Sequence, residues 1–307
     1  MLSLLLFKQI AQMFLALFMG FALVRCGVLK SSDSKVLSRL ALYVITPCVT
    51  INSYQIQFTA DRLQGMLLAL GAGAATHLLF LLLTGVLKRP LHLTPVEQVS
   101  LVYSNASNLT IPIVTAILGS EYVIYVSMFV VVQLFLMWSH GRLLLSGENQ
   151  FSLKRVLLNI NIISIIIGAS LFFLRIPLPA IITGALQSVG SMIGPLCMIV
   201  AGMLMGGVKL PQVVKNRGVW KVTVLRLIVY PLAVVALMRF SGAARLVPDG
   251  GTILLVSLLS SVTPSAAAIT QLAQIYSDDG EYAGIINVVT TVLCLVTIPI
   301  MISLYQL

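Results

Sequence analysis

Two stretches of this sequence set a proline beside small polar side chains within otherwise apolar runs. The first is Ser104-Asn105-Ala106-Ser107-Asn108-Leu109-Thr110-Ile111-Pro112; the second, from Ser257, reaches Ser260-Ser261-Val262-Thr263-Pro264-Ser265. Proline removes a donor from a helix and its ring clashes with the preceding turn. Hydroxyls and carboxamides beside such a break can satisfy the freed backbone groups or bind a polar solute. Asn105, Asn108, Thr110, Pro112, Thr263, Pro264 and Ser265 are therefore candidate binding residues. The plainer alternative for each run is a tolerated kink.

Two ionisable residues join the set. His77 lies 30 residues after Pro47, and Arg226 lies 31 after Pro195, each in the middle of an apolar run. Charge at that depth is costly and usually lines a cavity or meets a partner. No Asp or Glu lies near Arg226 in depth, so its partner is an anionic substrate or the carbonyls of a broken helix. The alternatives are that Arg226 snorkels to the nearer face and that His77 is a neutral packing residue.

Other chemistry finds little support. His77, His92 and His140 stand apart with no HExxH, and no aspartate pair lies within an apolar run. Cys26, Cys48, Cys197 and Cys294 have no metal-ligand spacing. No metal, cofactor or catalytic residue is expected, which disfavours a membrane-embedded enzyme.

The elements that must position these residues are set by composition. Of 307 residues 59% are hydrophobic and 9% charged, with mean hydropathy +1.04; a soluble domain carries about 25% charged residues. An apolar run of about 20 residues crosses the hydrocarbon core as a helix. Runs between charged breaks predict an all-α integral membrane protein with ten spans, near 3–25, 35–55, 63–87, 95–118, 121–145, 155–174, 179–207, 217–240, 250–275 and 281–305. The first run is too long for a signal-peptide core and lacks a small-x-small cleavage site, so it reads as a span. Residues 1–307 form one membrane domain, in contact with lipid.

The net charge of +10 is not pooled into a nucleic-acid-binding patch. The first, third, fifth and seventh connections and their flanks carry 13 of the 19 basic residues, which puts those connections in the cytoplasm and both termini outside.

The prolines also suggest an internal repeat. Pro47 and Pro112 are 65 residues apart, Pro195 and Pro264 are 69 apart, and the pairs are offset by 148 and 152. Two inverted five-helix repeats, about 1–146 and 154–307, would place broken helices 4 and 9 at a midplane binding site.

At these residues the sequence resembles the auxin efflux carrier family, which includes bacterial malate and malonate permeases and the plant auxin exporters. The similarity runs through ALYVITPCVTI (41–51), YSNASNLTIPIV (103–114), GPLCMIVAGMLMGG (194–207) and the stretch 260–300 from SSVTPSAAAITQL to LVTIPI. The resemblance implies crossing helices 4 and 9, a scaffold of helices 1, 2, 6 and 7, and a carboxylated anion as substrate, contacted by Asn105 or Asn108. The central connection is short, which points to a bacterial-type permease of the inner membrane. A sodium-coupled bile-acid type is the rival transporter. The coupling ion, a proton or sodium, and assembly as a homodimer stay open.

Overall fold

The computed structural model describes residues 2–147, 157–207, 216–277 and 279–306. The described residues are helical apart from short connections and one isolated β-bridge. The helices are α1 (Leu2–Arg25), α2 (Ser31–Ser53), α3 (Ala60–Leu87), α4 (Pro95–Val102), α5 (Ala106–Ile117) and α6 (Ser120–Ser146). They continue with α7 (Ile160–Phe173), α8 (Ala180–Gly207), α9 (Arg217–Phe240), α10 (Gly250–Val262), α11 (Ala267–Tyr276) and α12 (Gly280–Gln306). Among the described residues six helices, α2, α3, α6, α8, α9 and α12, are long and apolar enough to cross a membrane. Shorter apolar helices lie in α1, α5, α7 and α10. The central connection expected at 147–154 and the one at 209–217 fall almost entirely outside the described residues, as do 155, 156 and Asp278.

The helices sort into two groups by packing. In the first, α1 runs along α8, and α2 packs against α7 and α8. A Cβ on Gly20 would run into the Ile199 carbonyl, and one on Gly202 into the Leu17 carbonyl. Small residues at such crossings let two backbones touch, which is how membrane helices associate without a hydrophobic drive. In the second group α3 packs on α6 and α10, α10 on α6 and α9, and α12 on α9 and α11. The outward face of α3 exposes Leu67, Leu78, Leu82 and Val86, as a lipid-facing surface requires.

Three π-turns have a common cause. The turns Ala41–Ile45, Ala106–Thr110 and Leu225–Val229 each end two residues before a proline, at Pro47, Pro112 and Pro231. A proline ring clashes with the carbonyl four residues earlier, and a turn widened to i→i+5 gives that ring room.

Candidate functional site

The fourth run breaks between α4 and α5. Thr94 caps α4 with Pro95 in its first turn, and the Glu97 side chain reaches back to the Thr94 N–H at 2.9 Å. The helix stops after Val102: Tyr103 is extended (φ −102°, ψ 123°) and Asn105 is non-helical (φ −83°, ψ 47°). The Ser-Asn-Ala-Ser-Asn run is a poor helix former, and the backbone groups it frees pair across the crossing and with Gln133. The ninth run breaks between α10 and α11. Thr263 is extended (φ −68°, ψ 161°) because Pro264 disfavours the helical region for the residue before it.

The breaks do not both fall at the prolines. Pro264 lies in its break, but Pro112 sits in the first turn of the regular helix after a π-turn, eight residues past Ser104. The break expected beside Pro112 thus lies upstream of it, at Tyr103–Asn105. The widened turn absorbs Pro112, and the polar run ahead of it makes the break.

The two breaks cross and pair. Ser104 and Ser265 form an antiparallel β-bridge, in which the Asn105 N–H donates to the Pro264 carbonyl at 2.8 Å and the Ala266 N–H to the Tyr103 carbonyl at 3.0 Å. Ser104 and Ser265 are both buried. Spans of 8 and 13 residues for α4 and α10 cover about 12 and 20 Å of a core about 30 Å thick, which sets the crossing deep in the protein.

Helix ends of opposite polarity meet here. The C-terminal ends of α4 and α10 converge on Arg226, which the π-turn of α9 carries and which is fully buried. Its guanidinium donates to the carbonyls of Leu101 (2.7 Å), Ser261 (2.8 Å) and Thr263 (3.0 Å from Nη2, 3.2 Å from Nε), and it lies 5.3 Å from the centre of the Phe80 ring. A cation is favoured where helix C-termini meet. Of the partners weighed for Arg226, the structure shows carbonyls of the broken helices. The N-terminal ends of α5 and α11 also start at the crossing, and neither has a side-chain cap. Helix N-termini of this kind favour anions.

The remaining candidates spread around this centre. Thr110 is buried, with its hydroxyl 3.5 Å from the Leu259 carbonyl, and Thr263 donates to the Ser260 carbonyl at 3.1 Å. Asn105 and Asn108 are half-buried. Among the described residues, Asn108 Oδ1 and Ser265 Oγ are buried without a hydrogen-bond partner. His77 is buried on α3, with Nδ1 2.8 Å from the Gly73 carbonyl and Nε2 unpartnered. Its ring packs 4.8 Å from that of Phe129.

A cavity of about 500 Å³ lies between the two helix groups. Gln12, Asn52, Pro112, Thr115, Gln187 and Pro195 are among the residues that line it. Of the candidate residues only Pro112 is on that lining, so the cavity adjoins the crossing along α5 rather than enclosing it.

A family model described as a membrane transport protein matches residues 5–154 and 148–302. The chain belongs to this membrane transport protein family, the auxin efflux carriers. It is therefore a multi-pass membrane protein of a transporter family. A comparison with curated proteins gives no match.

Reading the transporter's sequence missed the side chains that support the crossing. Gln133 on α6 and Asn287 and Thr290 on α12 hydrogen-bond its backbone. The signal was present: Gln133 stands alone in VVVQLFLM and Asn287 in IINVV, and an isolated amide within an apolar span needs a partner. The buried Glu97 was also missed. It takes Lys221 Nζ at 2.9 Å and the Tyr282 hydroxyl at 2.8 Å, which ties α4 to α9 and α12.

Proposed function

We propose that this carrier moves small organic anions, mono- or dicarboxylates, by alternating access, with the substrate seated at the crossing of the fourth and ninth spans. The observation that carries this reading is the Ser104–Ser265 bridge, which brings two uncapped helix N-termini to one buried place. Those ends supply backbone N–H groups and partial positive charge. Asn105, Asn108 and Ser265 supply neutral donors, Thr110 and Thr263 hold the backbone beside them through their hydroxyls, and Pro112 and Pro264 shape that backbone. Arg226 acts through the crossing by holding its carbonyls and adds positive potential. His77 lends an unpartnered ring nitrogen from α3.

In this reading the chain makes ten spans in two inverted five-helix repeats, with both termini on the outer side of the inner membrane. The group α1, α2, α7 and α8 is the frame. The other helices carry the crossing past it, and the cavity beside Pro112 and Pro195 is the access path on one side.

Sodium coupling at the crossing is the weaker reading. Sodium needs several oxygen ligands, and the carbonyls of Leu101, Ser261 and Thr263 already hold a guanidinium. A proton is the other coupling ion weighed, and the imposed gradients below tell the two apart.

The test is a thermal-shift screen of the purified protein against mono- and dicarboxylates, since a ligand that binds only the folded state raises its apparent stability. A carboxylate that raises the melting temperature is then followed in proteoliposomes under imposed pH and sodium gradients. Flux driven by the pH gradient identifies a proton as the coupling ion, and flux that requires sodium identifies sodium. Failure of every carboxylate to stabilise the protein would overturn the substrate class.

A further inference from the structure

We infer that Gln133 and Asn287 are a matched pair of positioning residues that hold the two crossing strands in register. In the bridge, Ser104 and Ser265 occupy the pair whose own N–H and C=O groups point away from the partner strand. Those four groups are buried and need partners from elsewhere. For Ser104 one side chain serves both. Gln133 Oε1 accepts from the Ser104 N–H at 3.1 Å and from its hydroxyl at 2.6 Å, while Nε2 donates to its carbonyl at 2.8 Å. A carboxamide presents an acceptor and a donor side by side, as a neighbouring strand would.

For Ser265 the same work is divided. Asn287 Nδ2 donates to its carbonyl at 2.6 Å, and Thr290 Oγ1 accepts from its N–H at 3.3 Å. The Thr290 hydroxyl donates to the Ile286 carbonyl at 2.7 Å, which leaves its lone pairs to accept. The geometry is closely parallel. Gln133 lies on the helix that follows the first crossing segment and half-helix, and Asn287 and Thr290 lie on the helix that follows the second. Each crossing strand thus has the other strand on one edge and an amide on the other.

Fixing the register fixes how the starts of α5 and α11 face one another, so the pair acts on the substrate through the backbone. This last step rests on the proposed seat at the crossing.

The experiment is hydrogen–deuterium exchange of the full-length protein in detergent, read on peptides covering 103–110 and 263–270, together with uptake in proteoliposomes. The variants are Gln133→Glu and Asn287→Asp, which keep shape but lose the donor to Ser104 and to Ser265. Ser104→Ala is the control, since it removes only the hydroxyl contact. We expect exchange corrected for intrinsic pH dependence to rise about tenfold or more at Asn105 and Ala266, because a lost clamp opens the bridge locally. The control should change by less than about threefold. Lowering the pH should restore protection, because a protonated introduced carboxyl can donate again; a variant that merely misfolds would not recover.

Exchange unchanged in both variants even at alkaline pH, where the introduced carboxyls are ionised, overturns the inference whatever happens to transport. Raised exchange with undiminished uptake of the carboxylate found by the thermal-shift screen keeps the clamps and counts against the crossing as the substrate's seat. Raised exchange with uptake reduced about tenfold, both recovering at low pH, supports both.

Discussion

At Tyr103–Asn105 the chain leaves the helix through a run of serine and asparagine with no proline at the break, whereas at Thr263–Ala266 it does so on Pro264. The outer edge of the first strand is held by one glutamine, that of the second by an asparagine and a threonine. The entry ends show the same crossed pattern. Tyr282, at the start of α12, donates to Glu97 in the first turn of α4, and Tyr122, near the start of α6, donates to Asp249 at the cap of α10. Charge is where the two regions differ most. Arg226 serves carbonyls from both broken helices, while His77 on α3 has Nδ1 2.8 Å from a carbonyl of its own helix. A single cation therefore serves both broken helices at once.

The largest effect should come from removing that cation. Arg226→Met leaves three buried carbonyls without their donor and should cost about 3–5 kcal/mol of stability, against about 1 kcal/mol or less for His77→Phe. Chemical or thermal unfolding in detergent compares the two, and equal losses would dissolve the asymmetry. Next come the prolines. Pro264→Ala frees Thr263 to become helical and should reduce uptake about tenfold, while Pro112→Ala, already accommodated by a π-turn, should change it by less than about twofold. The smallest contrast concerns the tyrosines. Tyr282→Phe removes a donor from a buried carboxylate and should cost about 1–2 kcal/mol, whereas Tyr122→Phe removes one from an exposed carboxylate and should cost about 0.5 kcal/mol or less. Matched melting curves measure both.

The apolar runs of this transporter were legible because lipid imposes one rule on every span: helical backbone with apolar side chains outward. The break at Thr263 was legible too, since proline constrains the residue before it. The break at Tyr103 was harder to place. Pro112 was the visible signal, yet a wider turn hides its clash, and the real break depends on partners distant in sequence. Arg226 was found by its depth, but its role needed three carbonyls from two other helices. Gln133, Asn287 and Glu97 were overlooked because a single polar residue in an apolar run does not say what it meets. Pairings across 22 to 185 residues decide that.

The central claim is that an organic anion sits at the crossing. Its most direct test is uptake, in proteoliposomes, of the carboxylate that most stabilises the protein, by wild type, Asn105→Ala and Pro264→Ala side by side. The account predicts accumulation by wild type and at least about a tenfold loss in each variant, with folding intact by melting temperature. Uptake by both variants at the wild-type rate would contradict it.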